Sequence, residues 1–272
     1  MTAARRRRIV IALGIAVCLA ATAAAQRRRG GFGGGFFRPV NAPYDGAFQF
    51  CRIMFRQNPY GDGNGWSVDY PRADINFTYR LSELTSTIVS KDTKGEYNHS
   101  VFQLTDDELY KCPFIMATEV GALYLDDTEA ARLRDYLLKG GFFWGDDFWG
   151  DLAWETFESE MAKALPEYHI VEIPIEHSLF HMLYQVKQVP QIPSINFWFS
   201  RGGATSERGA ESAIPHARGI FNDRGDLMVL ATFNTDFGDA FEREGENRAY
   251  FDQFAGVGYA FGINALLYAM TH

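Results

Sequence analysis

The sequence predicts an α/β domain with a doubly wound, mostly parallel sheet that carries helices on both faces. The main observation is that short apolar strand patterns alternate with amphipathic helix patterns along most of the chain. The second is that most predicted helices have a capping or stop residue at an end. The third is length, since roughly 225 residues follow the N-terminal segments and suffice for one sizeable core.

The first elements are a strand, a helix and a second strand. Residues 48–55 are apolar and aromatic and precede a turn-rich stretch, which predicts the first strand. Asp74 is expected to cap a helix that places Phe77 and Leu81 on one face. Residues 113–118 form a short apolar run, which predicts the next strand.

Two further helices flank a third strand. Asp126 and Glu129 have the spacing of a capping box, and glycine at 140 and 141 closes the helix that they begin. Residues 142–145 are predicted to be a strand. Asp151 is expected to cap the helix that follows, with Pro166 as its stop.

The C-terminal part predicts a strand, a hairpin and a buried helix. Residues 169–175 are assigned to a strand, and 219–221 pairs with 226–232 across a turn signal. Residues 254–270 are apolar but short for a membrane span and contain three glycines, so a buried C-terminal helix is preferred. Residues 186–218 lack periodicity, and a lid over a site and a solvated insertion are both open interpretations.

The N-terminus has the pattern of a secretory signal peptide. Residues 1–25 combine four arginines, an apolar stretch and a small-residue cleavage site. Because a membrane anchor needs roughly 20 apolar residues, cleavage is favoured over an uncleaved anchor or lipidation at Cys18. We therefore expect an exported protein, periplasmic or extracellular, with the uncleaved anchor as the alternative.

Residues 26–46 are rich in glycine and arginine and predict a flexible linker, which leaves 47–272 as the single domain. The arginines suit contact with an anionic membrane surface.

The charge of the domain argues against nucleic acid as a partner. The sequence has 26 basic and 34 acidic residues, a net charge of −8. Eight arginines and no acids precede Pro39, so the remainder has 18 basic against 34 acidic residues, a net charge of −16. Phosphate recognition needs clustered Lys and Arg, which this balance does not favour.

Two cysteines remain after the signal segment, Cys51 and Cys112. In an oxidising compartment they could pair, and two buried thiols acting as small apolar side chains are the alternative.

Acidic residues follow three of the predicted strands. In open α/β sheets, ligands bind outside the carboxyl ends of the strands, so these loops are expected to open onto one edge. Crowded carboxylates repel unless a cation, an Arg or protonation compensates, which makes a divalent cation a possible cofactor. The residues are Asp69 and Asp74, then Asp146 and Asp147, and finally Asp236, Asp239 and Glu242.

Asp146 and Asp147 are the first candidates for chemistry. One carboxylate could bind a metal or act as a general base. In the alternative interpretation Asp147 or Asp151 caps the following helix, and Asp146 bonds the loop backbone. The spacing of Asp236 and Asp239 superficially resembles a calcium loop, and a turn with a helix cap explains it equally well.

Other candidates are aromatic, basic and imidazole side chains. Trp66 and Phe148 lie near the acidic loops and suit ligand recognition or core packing. Arg80 is expected to pair with Asp69 or Asp74, a structural role rather than substrate binding. His177 and His181 would share a helix face as weak metal-ligand candidates, and packed neutral histidines are the alternative.

Several motifs occur together in chain order. They are Trp66-x-x-Asp69-x-Pro71-x-Ala73-Asp74, Arg80-Leu81-x-Glu83-Leu84-Thr85, Gly140-Gly141-Phe142-Phe143-x-Gly145-Asp146-Asp147-Phe148, His177-x-x-Phe180-His181, Asn234-x-Asp236-x-Gly238-Asp239-x-Phe241-Glu242 and Gly262-Ile263-Asn264-x-x-x-Tyr268-Ala269. Together they resemble the bacterial family known as domain of unknown function 4159, from residue 48 to the C-terminus.

The resemblance implies a class I glutamine amidotransferase-like fold of the flavodoxin type, and no activity. Amidotransferases carry a cysteine on a tight turn after a central strand. The matching turn here holds Gly145, Asp146 and Asp147 without a cysteine. A cysteine-dependent glutaminase is therefore not expected, because a carboxylate does not replace a thiolate.

The sequence thus favours an exported, non-catalytic module that binds a small ligand or an envelope protein at the carboxyl edge of its sheet. A metal- or carboxylate-dependent hydrolase of envelope carbohydrate or peptide is one alternative, using Asp146, Asp147 and the loop with Asp236 and Asp239. A structural component of an envelope complex is another.

Overall fold

A seven-stranded sheet lies at the centre of the molecule. The computed structural model describes residues 38–272. The strands are β1 (Phe50–Ile53), β2 (Arg56–Gln57), β3 (His99–Phe102), β4 (Phe114–Ala117), β5 (Leu123–Tyr124), β6 (Phe142–Phe148), β7 (Val171–Glu172), β8 (His216–Phe221) and β9 (Leu227–Phe233). The large sheet has the order β3-β1-β4-β6-β9-β8-β7, and β2 and β5 form a separate antiparallel pair.

Five neighbouring strands of this sheet are parallel to one another: β3, β1, β4, β6 and β9. Strand β8 then pairs antiparallel with β9, and β7 pairs antiparallel with β8. The carboxyl ends of the five parallel strands therefore lie at one edge of the sheet, called the carboxyl edge below. The α-helices are α1 (Arg72–Leu84), α2 (Asp127–Leu138), α3 (Gly150–Ala164), α4 (Ile195–Ser200), α5 (Phe237–Glu242), α6 (Arg248–Tyr250) and α7 (Gly256–Thr271).

Two hydrophobic clusters cover the two faces of the sheet. Side chains of α2 and α3 pack on one face, around Phe143, Phe157 and Val229. Side chains of α1, α5 and α7 pack on the other face, around Phe77, Trp144 and Phe261. The alternation of side chains along β6 explains this division, because Phe143 and Trp144 point to opposite faces. The α/β class and the mostly parallel sheet are confirmed.

Several elements differ from the sequence prediction. Strand β3 has no counterpart in the prediction, because its four residues lie in a polar stretch with little periodicity. Strand β6 runs on to Phe148 and includes the acidic pair. Of the predicted strand 169–175, only Val171–Glu172 pairs with a neighbour. The predicted hairpin is present as β8 and β9, connected across residues 222–226.

Of the caps predicted for α1, α2 and α3, the one at α2 is confirmed. Asp126 accepts a hydrogen bond from the Glu129 backbone N–H and forms a capping box with that residue. The predictions for Asp74 and Asp151 are wrong, since both lie inside the first helical turn. Helix α3 begins at Gly150, whose φ of 79° suits glycine. Its N–H donates to the Asn234 side chain instead.

The C-terminal helix is a core element. Residues 248–271 are long and apolar enough to cross a membrane, but 61% of their most apolar window is buried inside the protein. The absence of a side chain at Gly262 lets the rings of Phe77 and Phe241 pack directly against the helix backbone, because a Cβ there would lie 2.9 Å from an atom of each ring. A π-helical turn at Phe251–Ala255 joins α6 to α7.

Cys51 and Cys112 form a disulfide between β1 and the segment that precedes β4. Residues 39–46, assigned above to the linker, contact the sheet: the Asn41 side chain bonds both the N–H and the carbonyl of Val101 on the edge strand β3. The compact unit accordingly begins at Pro39. The predicted signal peptide and most of the predicted linker lie outside the described residues.

A buried ion pair joins the first strand to the first helix. Arg52 on β1 and Asp74 on α1 are both fully buried, with 2.5 Å between Nη2 and Oδ1. The guanidinium also donates to the carbonyls of Trp66 and Val68. One side chain therefore holds both the helix and the loop that precedes it.

Replacing Asp74 should strongly destabilise the protein. Asp74→Ala leaves the Arg52 charge buried without its partner, and we expect a loss of about 3–5 kcal/mol in the free energy of unfolding. Urea unfolding followed by circular dichroism measures this change. Asp252→Ala, which breaks the exposed pair with Arg248, is the matched control and should leave stability unchanged. Equal effects of the two substitutions would contradict the role given to the buried pair.

Candidate functional site

Four loops at the carboxyl edge contain residues in the left-handed backbone region. In the described chain, the non-glycine residues with positive φ are Asp69, Glu119, Asp147 and Asn234, with φ between 55° and 62°. Each follows or ends a parallel strand, in the connections after β1, β4, β6 and β9. Such conformations are uncommon outside glycine and often concentrate at functional sites, and here each is an acid or an amide.

Asp69 comes from the connection between β1 and α1. Its backbone carbonyl accepts a hydrogen bond from Ala73 at the start of α1. The side chain is 7% exposed, and its Oδ2 atom has no hydrogen-bond partner among the described residues. Gly238 permits this position, because a Cβ there would lie 2.2 Å from Oδ2.

Asp146 and Asp147 sit at an irregularity of β6. Between Gly145 and Phe148 the pairing with β9 shifts register, as in a β-bulge. Asp146 is fully buried and accepts hydrogen bonds from the Thr232 hydroxyl and from the backbone N–H groups of Phe237 and Gly238. Among the described residues, Asp147 accepts one hydrogen bond, from the Trp149 indole. Asp146 thus holds the start of α5, and Asp147 is free to face the carboxyl edge.

The connection after β9 supplies two more carboxylates. Asp236 caps α5 by accepting from the Asp239 N–H, at 2.7 Å. Asp239 accepts from the Ile195 N–H at 2.6 Å and from the Tyr250 hydroxyl at 3.2 Å. The cap interpretation of this loop agrees with these contacts.

One carboxylate from each of three loops meets at the carboxyl edge. Asp69, Asp147 and Asp236 each place an oxygen within 4.8 Å of the other two, and all three side chains are buried. Asp69 belongs to a second such group, with Asp239 and Glu242. We call the first group the acidic triad. Its members lie far apart in sequence and become neighbours because parallel strands end at a common edge.

Burial raises the pKa of every carboxylate in the triad. For Asp69 the largest cause is loss of hydration, and the charge of Asp239 adds to it, while Arg52 opposes it. Burial also raises the pKa of Asp147, with Glu119 as the next cause, and that of Asp236, with Asp147 as the next. Ionised together, these groups would repel one another without water to screen them.

Residues 190–195 lie against this edge. Ile192 donates its N–H to the Thr235 hydroxyl and accepts from the Asp236 N–H, and Ile195 donates to Asp239. Further along the same segment, Arg208 pairs with Asp62 in the connection after β2, at 2.9 Å. The segment at 186–218 therefore packs over the turn that carries two of the carboxylates.

The remaining sequence candidates lie outside the triad. Trp66 and Phe148 are in the hydrophobic core, where Phe148 packs on Phe157. The expected pairing of Arg80 is wrong: its guanidinium bonds Glu244 and Glu83. Asp74 is occupied by Arg52, as described above.

The two histidines do not share a helix face. His177 precedes a single 3₁₀ turn at Ser178–Phe180, and its Nδ1 accepts from the Leu179 N–H. His181 bonds the Gln185 side chain and the Ile175 carbonyl. Within residues 38–272, neither belongs to a group of ligand-forming side chains close enough to share a metal ion.

Sequence reasoning missed three charged residues near the site. Glu119 follows the correctly predicted strand β4, so the rule that selected the other acidic loops also applies to it. Arg52 is a single cation in an otherwise apolar strand, and that contrast signals a buried partner. Arg243, which pairs with Glu242 and Asp239, carries no sequence signal beyond its position four residues after Asp239.

Fold and site together define an α/β domain with a buried acidic cluster at the carboxyl edge of a mixed, mostly parallel sheet. A family model described as a domain of unknown function (DUF4159) matches residues 55–270, and the chain belongs to this family. The family resemblance drawn from the sequence motifs is thereby confirmed. A search of curated proteins finds no match to the chain.

The buried carboxylates should make stability fall as the pH rises from weakly acidic to neutral. Burial raises the pKa of Asp146 from 3.8 to about 7 and that of Asp239 to about 6. Between pH 4 and 7 the folded state therefore holds more protons than the unfolded state. Unfolding free energy should drop by up to about 1.4 kcal/mol per pH unit for each group.

Urea unfolding at intervals from pH 4.5 to 7.5, with EDTA present, measures this slope. Asp146→Asn removes one titrating group and should flatten the profile. A wild-type stability that is constant or rises over this interval would contradict the assignment.

Proposed function

We propose that this chain is an exported, non-catalytic binding domain that holds a divalent cation at the acidic triad. One observation carries the proposal: the Oδ2 atom of Asp69 is buried, has no hydrogen-bond partner among the described residues, and belongs to a carboxylate that meets two others within 4.8 Å. Buried charges are normally paired or coordinate metals. A cation among these oxygens satisfies all three carboxylates at once.

The protein's own cations do not meet this demand. Arg52 acts on Asp69, but its guanidinium is bonded to Asp74 and to two carbonyls. Neither Asp147 nor Asp236 forms an ion pair with an Arg or Lys that the structure records within residues 38–272. A net negative charge therefore remains in the triad whenever its members are ionised.

The donor set indicates the kind of cation. Three carboxylates offer oxygen ligands without nitrogen or sulfur, which suits hard cations such as Ca²⁺, Mg²⁺ and Mn²⁺. The convergence of three separate loops supports a cation that also ties those loops together.

The disulfide supports two parts of the proposal: that the domain does not act as a glutaminase, and that it is exported. Cys51 and Cys112 are joined in a disulfide and neither lies on the turn after β6. A disulfide is typical of oxidising compartments such as the periplasm. This agrees with the signal-peptide pattern in the sequence, and we propose an envelope location.

We also propose that the fold is of the flavodoxin type, with likeness to class I glutamine amidotransferases. Numbered along the chain, the five parallel strands have the spatial order 2-1-3-4-5, which is the order of that doubly wound class. The order reverses between β1 and β4, the strands followed by Asp69 and Glu119. Ligands of doubly wound sheets bind at such a reversal.

A carboxylate-dependent hydrolase is the second candidate, and one observation favours it. Asp147 has a φ of 55° at the turn between a central strand and a helix, where amidotransferases carry their nucleophile. Turnover of a chromogenic ester or phosphoester by the wild type with Mn²⁺, abolished by Asp147→Asn, would replace the binding proposal with this one.

Calorimetric titration of the purified chain with Ca²⁺ and with Mn²⁺ tests the proposal. We expect saturable binding of at least one of them. At one hundred times the dissociation constant, binding should stabilise the fold by about 2.7 kcal/mol and raise the melting temperature by roughly 5–10 °C. Asp69→Asn should weaken binding at least tenfold, about 1.4 kcal/mol.

Asp151→Asn is the matched control, since Asp151 is an exposed carboxylate at the start of α3. It should bind as the wild type does. Absence of binding and of any melting shift with Ca²⁺, Mg²⁺, Mn²⁺ or Zn²⁺ would overturn the proposal.

A further inference from the structure

Asp69 belongs to two groups of carboxylates, and the two groups differ in their charge balance. Asp147 and Asp236 complete the acidic triad, while Asp239 and Glu242 complete the second group with Asp69. Each group brings three oxygens within 4.8 Å of one another. A carboxylate shared in this way has the arrangement of a ligand that bridges two neighbouring cations.

The second group already has a cation from the protein. The Nε atom of Arg243 lies 2.6 Å from Oε2 of Glu242 and 3.4 Å from Oδ1 of Asp239, within ion-pair distance of both. The approach is electrostatic, because neither Nε nor Oε2 has a partner in hydrogen-bond geometry among the described residues. The Nη1 atom of Arg243 donates to Glu246 at 2.8 Å, which anchors the guanidinium from its outer side. Arg243 therefore contacts two of the three carboxylates of this group and neutralises part of their charge.

The surroundings make this guanidinium a fixed group. Arg243 is the residue directly after α5, and its N–H donates to the Asp239 carbonyl, so its backbone is held by the helix. Its side chain is 32% exposed, so a polar replacement can be solvated without loss of the core. By contrast, Asp239 is 5% exposed, and it also accepts hydrogen bonds from residues other than Arg243, the Ile195 N–H and the Tyr250 hydroxyl.

We infer that Asp69, Asp239 and Glu242 form a second cation position, which the guanidinium of Arg243 fills in place of a metal ion. The domain therefore takes one divalent cation rather than two, and Arg243 sets that number. The inference rests on the proposed function, because it assumes that the acidic triad binds a cation. It adds that removal of Arg243 converts a one-cation site into a two-cation site bridged by Asp69.

Counting bound Mn²⁺ tests the inference. Wild type and Arg243→Gln are titrated with Mn²⁺, and free ion is measured by electron paramagnetic resonance. We expect one bound Mn²⁺ in the wild type and two in Arg243→Gln. Adding Glu242→Gln to that variant removes a ligand of the second position and should return the number to one.

Two matched variants separate charge from general perturbation. Arg243→Lys keeps a positive charge at the position and should bind one Mn²⁺. Arg248→Gln, which removes an exposed arginine paired only with Asp252 in the described contacts, should also bind one. Because Arg243→Lys differs from Arg243→Gln in charge, its result stays informative if the glutamine variant unfolds: two bound ions in the lysine variant would overturn the inference.

The outcomes distinguish the two proposals. One ion in both wild type and Arg243→Gln overturns the second position and leaves the proposed function intact. Two ions in the wild type also overturn the inference, since Arg243 would then not exclude a metal. No bound ion in the wild type overturns the proposed function itself.

Discussion

The buried pair of Arg52 and Asp74 is the interaction on which the carboxyl edge depends. Neither charge has access to water, so each requires the other for compensation. The remaining guanidinium hydrogens hold the carbonyls of Trp66 and Val68, the residues that lead into Asp69. The loop that carries the Asp69 carboxylate is therefore held by a charge pair at the centre of the fold, together with the hydrogen bond from the Ala73 N–H to the Asp69 backbone carbonyl.

Neighbouring residues of one strand have opposite roles at this edge. Asp146 accepts three hydrogen bonds and holds β9 and the start of α5. Among the described residues, Asp147 accepts a hydrogen bond from Trp149 alone, and it faces Asp69 and Asp236. In a regular strand the two side chains would point to opposite faces of the sheet. The register shift between Gly145 and Phe148 changes this local direction, as a β-bulge does. A local irregularity thus divides the acidic pair into a structural and a cluster-forming carboxylate.

Local chemistry explains which elements could be predicted from the sequence. The Asp126 capping box was predictable, because both of its bonds are made within four residues. The roles of Asp74 and Asp151 were not predictable from local sequence. Asp74 is buried against Arg52 inside the first turn of α1. Helix α3 begins at Gly150, which has a positive φ, so Asp151 lies inside that helix. His177 and His181 have helical spacing, but the chain makes a single 3₁₀ turn there. Strand β3 is defined by pairing with β1, which its polar sequence does not reveal.

The sheet topology explains why the acidic loops lie together. It does not determine which of their carboxylates has a partner that compensates its charge. Parallel strands bring Asp69, Asp147 and Asp236 to one edge whatever their side chains, so the sequence order of strands and acids was sufficient to group them. Whether a carboxylate is compensated depends on donors from distant segments. Backbone N–H groups serve Asp146 and Asp239, and arginines serve Asp74 and Glu242. Among residues 38–272, Oδ2 of Asp69 has neither kind of direct partner, and the close approach of Asp147 and Asp236 adds like charge. Two kinds of compensation fit this geometry: protonation, since burial raises the pKa of all three carboxyls, and the cation that we propose above.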